Sequence, residues 1–67
     1  MYLINIQSEA QSIFKYDSEN DARSAYHSTL ASNYAAYDAG TLNSFTVVLM
    51  NQSGDVVAKE FKYRQEG

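Results

Sequence analysis

Apolar and polar residues alternate from Tyr2 to Gln7, with Tyr2, Ile4 and Ile6 on one side and Leu3, Asn5 and Gln7 on the other. That two-residue period is the signature of a strand. Ser8 to Gln11 interrupts the rhythm and reads as a turn, and Ser12 to Tyr16 resumes it, setting Phe14 and Tyr16 against Ile13 and Lys15. Two such runs separated by a short loop predict an antiparallel hairpin. The loop has no glycine, so its register stays open.

Beyond Asp17 the period changes. From Ser18 to about Ala39, a turn of 3.6 residues gathers Ala22, Ala25, Tyr26, Thr29, Leu30, Ala36 and Tyr37 on one broad face, with Asn33 inside it. Ser18 followed by Asp21 is a variant of the capping box that satisfies amides in a first helical turn. Asp17, Glu19 and Asp21 put negative charge where the helix dipole is positive. Gly40 is placed to close the helix in the left-handed conformation, with Leu42 packing back over the last turn.

A surface helix ordinarily carries Lys and Glu opposite its core stripe. Here that side reads Ser24, Ser28, Ala31 and Ala35. Such a face is either plain solvent-exposed surface or a place where a second helix can approach closely, which makes these four residues interface candidates.

Ser44 to Met50 is dominated by β-branched and aromatic residues and is apolar on both sides, so it predicts a central strand. Asn51-Gln52-Ser53-Gly54 reads as a type I turn with a left-handed glycine, and Val56 to Tyr63 returns as the partner strand. The order strand, strand, helix, strand, strand describes a single α+β domain over residues 1–67, a four-stranded antiparallel sheet with one helix packed across it. One sheet face is left without a cover. With Phe45, Val47 and Leu49 turned to the helix, Val48 and Met50 look outward together with Leu3 and Ile13. Val48 and Met50 are a second pair of interface candidates, because contiguous exposed apolar area marks interaction sites.

Size changes this picture. Sixty-seven residues bury only about 60% of the surface that the unfolded chain exposes, and domains this small often gain stability from disulfides, metals or association. There are no cysteines and a single histidine, so association is the expected device, with a homodimer favoured. The alternating start has neither the basic residues nor the apolar run of a secretory leader, and no stretch approaches the about 20 apolar residues of a membrane helix. A cytoplasmic protein without membrane contact is expected.

Net charge is −3, from eight acidic and five basic residues, which argues against nucleic-acid binding. Lys59, Lys62 and Arg64 gather near the end of the chain beside Phe61 and Tyr63. In an extended strand Lys62 and Arg64 share a side with Glu60, and Lys59 lies opposite with the aromatics. This pattern reads first as an edge strand protected by charge and second as a small anion-binding patch. His27 lies on the helix near Arg23, Leu30 and Tyr34 with no carboxylate fixed beside it, and no serine stands in a nucleophile elbow. Neither a metal nor a cofactor is expected, and no enzymatic activity. Six tyrosines suit either an interface or the rim of a thin core.

The run Phe14-Lys15-Tyr16-Asp17, followed by Asp21-Ala22, Tyr26-His27-Ser28 and Leu30-Ala31, resembles short uncharacterised proteins of phages and mobile elements of gut Firmicutes. That resemblance implies a setting in which small acidic proteins act by binding, including as inhibitors of host-defence proteins such as CRISPR nucleases. The expected function is a self-associating protein-interaction module with a protein partner. The alternatives are a small-molecule or nucleotide sequestering protein and a structural component of a phage assembly. For the sequestering protein, Arg23, His27, Tyr34, Lys59, Lys62 and Arg64 would line a pocket between subunits.

Overall fold

The computed structural model describes residues 1–8 and 10–63; Arg64, a ligand candidate above, lies outside them. Five elements follow one another as β1 (Tyr2–Gln7), β2 (Gln11–Tyr16), α1 (Glu19–Asp38), β3 (Ser44–Met50) and β4 (Val56–Tyr63). The fold is the expected α+β arrangement, one helix packed on a four-stranded antiparallel sheet. β2 starts one residue earlier than the alternation suggests, because Gln11 pairs directly with Gln7 and shortens the turn.

In space the strands lie in the order β2-β1-β3-β4, each antiparallel to its neighbour. β2 and β3 therefore run the same way with β1 between them. A hairpin cannot make such a connection, and α1 makes it by crossing over the sheet. The two hairpins end up on the outside, and β2 and β4 become the edges.

Local chemistry explains where the helix begins and ends. The Ser18 hydroxyl accepts from the Asp21 amide at 3.1 Å, the hydroxyl half of the expected capping box. At the other end the Gly40 amide donates to the Tyr37 carbonyl at 3.1 Å and the Thr41 amide to the Ala36 carbonyl at 3.0 Å. This closure needs a left-handed residue, and Gly40 supplies it with φ +84. Leu42 then folds back into the core.

The core lies between the inner helix face and one face of the two central strands. Val47, Leu49, Ile4 and Phe45 are almost completely excluded from solvent, and Ala22 and Tyr26 meet them from the helix. Each of those four strand side chains contributes about 1.5–3 kcal/mol by its burial. Ala25, Leu30, Tyr34, Ala36 and Tyr37 complete the layer from the helix side, and Tyr2, Ile6 and Tyr16 from the sheet. The core stripe expected for α1 is the one observed.

The β3–β4 hairpin is held by its turn. Asn51 Oδ1 accepts from the Ser53 amide at 2.9 Å and the Asp55 amide at 3.0 Å, and Gly54 takes φ +88. A register shift follows: Leu49 pairs with Ala58 but Met50 with Val56, leaving Val57 as the extra residue of a bulge.

Candidate functional site

The face of the sheet turned away from α1 is open. Because directly paired residues share a face, the register places Leu3 beside Met50 and Lys15, Asn5 beside Val48 and Ile13, and Val48 beside Lys59. Thr46 pairs with Phe61 and Ser44 with Tyr63 on the same face. Leu3, Val48 and Met50 sit at its centre, where the sequence reading put them. Ile13, Val56, Phe61 and Tyr63 extend the apolar area to both edges, and all four are more than half exposed, between 54% and 58%. Along β4 the Phe61 and Tyr63 rings stack with 6.4 Å between centroids, and the Lys59 ammonium lies 5.8 Å from the Phe61 ring. Lys15 and Lys59 stand on the two edge strands, and no carboxylate occupies this face among the described residues.

The outer side of α1 presents Ser24, Ala31 and Ala35, and Ser28, exposed like them, falls on the flank toward β2. The two flanks of the helix differ. Toward β4 it sends tyrosines: Tyr34 and Tyr37 meet Phe45 edge-on at 5.1 and 6.2 Å, and the Lys62 ammonium lies 5.9 Å from the Tyr37 ring. Toward β2 it sends Ser28, Thr29, Ser32 and Asn33. These short side chains leave an open hollow of about 340 Å³ against Ile6 and Phe14. Phe14 points to the helix side of the sheet yet stays 48% exposed, because nothing large comes down from the helix to cover it.

The ligand candidates are not brought together. The Arg23 guanidinium reaches back one turn to Glu19 at 3.4 Å, and His27 makes an edge contact with the Tyr26 ring at 5.8 Å. Tyr34 and Lys62 lie on the helix side of the sheet, whereas Lys59 is on the open face. Within one copy these groups cannot converge on a single ligand, and none of them lines the hollow. Among the described residues no three His, Asp or Glu side chains gather as a metal ion requires. No helix among those residues is long and apolar enough to cross a membrane.

Glu60 has an unusual position. It belongs to edge strand β4, pairs with Val47 and so points under the helix, where it is half-buried. Burial raises the Tyr34 hydroxyl above its ordinary range, and the Glu60 carboxylate, within hydrogen-bonding reach, raises it further by favouring the neutral phenol. Burial first and Glu60 second push Tyr26 in the same direction. Five of the six tyrosines thus serve the rim of the core, with Tyr63 left exposed.

Three features escaped the sequence reading: the exposure of Phe14, the hollow beside it, and the contribution of Val56, Phe61 and Tyr63 to the open face. The last was recoverable, since Phe61 and Tyr63 alternate with Glu60 and Lys62. Phe14 was not, because an aromatic at an inward strand position reads as core until the strand order is known. No protein-family model matches the chain, and no curated protein or solved structure is detectably similar to it.

Proposed function

We propose that the chain is a non-enzymatic protein-interaction module that self-associates and docks a partner through its open sheet face. The observation that carries this reading is the apolar group at the centre of that face, Leu3, Val48 and Met50, with Ile13, Val56, Phe61 and Tyr63 toward the edges and Asn5 and Thr46 among them. Four strands at about 4.8 Å spacing and six or more residues at about 3.3 Å rise give the whole face, polar positions included, a footprint of roughly 400 Å². Lys15 and Lys59 at its edges suit a partner that surrounds apolar side chains with carboxylates. The helix layer is mixed in charge, with Glu19, Asp21, Asp38 and Glu60 beside Arg23 and Lys62.

The resemblance to phage and mobile-element proteins makes a host-defence protein, such as a CRISPR nuclease, the first partner to try. The test is binding of an identified partner by wild-type protein and by the double variant Val48→Lys, Met50→Lys, both checked for folding by circular dichroism. Loss of binding in the folded double variant supports the reading. Equal binding by both proteins removes the open face as the docking surface.

A further inference from the structure

The two edges of the sheet are protected very differently. β4 carries Lys59 and Lys62, turns the Glu60 carboxylate inward under the helix, and is broken by the bulge at Val57. Each of these discourages another strand from adding to an edge. β2 has none of the three apart from a single Lys15. Its six residues pair in unbroken register with β1, its helix-side positions are Ser12, Phe14 and Tyr16, and every residue from Gln11 to Lys15 is exposed. Ile13 and Phe14 lie next to each other on opposite faces, 56% and 48% exposed, so the edge is apolar both above and below. It is bonded on one side only, to β1.

We infer that β2 is a pairing edge at which two copies of the chain join antiparallel, fusing their sheets into one of eight strands. This rests on the self-associating reading above and assigns it a surface that is not the open face. The charge pattern of the strand admits a second copy, and the exposed Ile13 or Phe14 set against its own counterpart gives that copy an apolar centre to pair on. A two-fold axis at Ile13 sets Ile13 against its counterpart and Lys15 against Gln11. An axis at Phe14 sets Phe14 against its counterpart and Lys15 against Ile13. Within Gln11–Tyr16 neither arrangement opposes like charges, because that strand carries one charge and carries it off centre. Addition to the β4 edge of another copy would instead meet Lys59, Glu60 and Lys62.

Both axes are perpendicular to the sheet and keep the two helices on the same side. The hollow beside Phe14, bounded by Ser28 and Ser32, opens along this edge and leaves space on the helix side for the partner's β2 side chains. The open faces of the two copies become one continuous face of twice the width. A six-residue edge is about 20 Å long, and it buries less than a standard stable interface, which takes about 800 Å² from each partner. The dimer is therefore reversible, and its population depends on concentration.

The deciding experiment is native mass spectrometry over a concentration series, paired with amide hydrogen exchange, on wild type, Ile13→Lys, Phe14→Lys and Val48→Lys. Wild type should pass from monomer to dimer, and β2 amides should gain protection as concentration rises while those of β4 do not. Ile13→Lys and Phe14→Lys should remain monomeric and folded, and Val48→Lys should still dimerise. A wild type that is monomeric at every concentration overturns the inference, as does a folded Phe14→Lys that dimerises like wild type. If Val48→Lys alone abolishes the dimer, copies associate through the open face and the β2 edge is wrong while the self-associating reading stands.

Discussion

β2 and β4 occupy equivalent places in the sheet, and little else about them is alike. Over β4 the helix sends down Tyr34 and Tyr37 onto Phe45, and the strand answers with Glu60 and Lys62. Over β2 it sends serines, and the strand answers with an uncovered Phe14. One rim of the core is closed by aromatic packing and charge; the other is closed by Tyr16 at one end and, beside Phe14, by nothing larger than Thr29 and Asn33. The difference shows that a helix lying across four strands cannot cover both edges equally. Where its large side chains fall decides which edge is covered within the chain and which stays exposed.

The most severe test of this contrast compares two phenylalanines. Phe45→Ala should destabilise by about 3–5 kcal/mol, because it empties the space under Tyr34 and Tyr37, and thermal melting should show most of the cooperative transition lost. Phe14→Ala in dilute solution should cost under about 1 kcal/mol, as surface changes do. An equal cost at the two positions would mean that the β2 side is packed as well as the β4 side.

A smaller effect is expected at the hairpins. Gly54 sits at φ +88, and a methyl group added there would meet open space, so Gly54→Ala is strained by conformation alone. The strain is about 1–2 kcal/mol, and the chemical-denaturation midpoint should fall accordingly. The β1–β2 turn contains no glycine and no left-handed residue among those described, so Ala10→Gly should change that midpoint far less.

Glu60→Val probes protection rather than stability. Taking the inward charge from β4 should make the second edge as adhesive as the first, and light scattering should detect species larger than a dimer. Unchanged scattering would mean that Lys59, Lys62 and the bulge protect β4 without it.

The smallest effect is on tyrosine ionisation. Tyr26 and Tyr34 should form tyrosinate above the ordinary value of 10.0, and Glu60→Gln should bring Tyr34 back toward it. The folded state holds these protons more tightly than the unfolded state does. Their contribution to stability is thus complete below the unfolded value and is lost as pH rises through the folded values. Tyrosinate absorbance followed during an alkaline titration measures both effects.

How far the sequence could be read depended on how local each cause was. Ser18, Gly40 and Gly54 act within a few residues of themselves, and the helix and the second hairpin fall where those residues put them. The apolar sides of β3 were equally legible, since Phe45, Val47 and Leu49 alternate with Val48 and Met50 whatever lies beside them. The ligand set is the opposite case. Arg23, His27 and Tyr34 share a helix, Lys59 and Lys62 share a strand, and adjacency along a chain does not say which face of a sheet a residue will occupy relative to a helix far away in sequence.

Period, capping chemistry and turn residues therefore determined the five elements, the inner face of α1 and the two sides of every strand, because these follow from backbone geometry and nearest neighbours. The two-sided apolar pattern of β3 and the charges of β4 also marked a central strand and an edge; only the tertiary structure decided that β1 is the second central strand and β2 the second edge, and that the tyrosine flank of the helix lies toward β4 while the serine flank leaves Phe14 of β2 exposed. Those outcomes turn on the crossover that carries α1 from β2 over β1 to β3, a long-range choice of strand neighbours that no local pattern encodes.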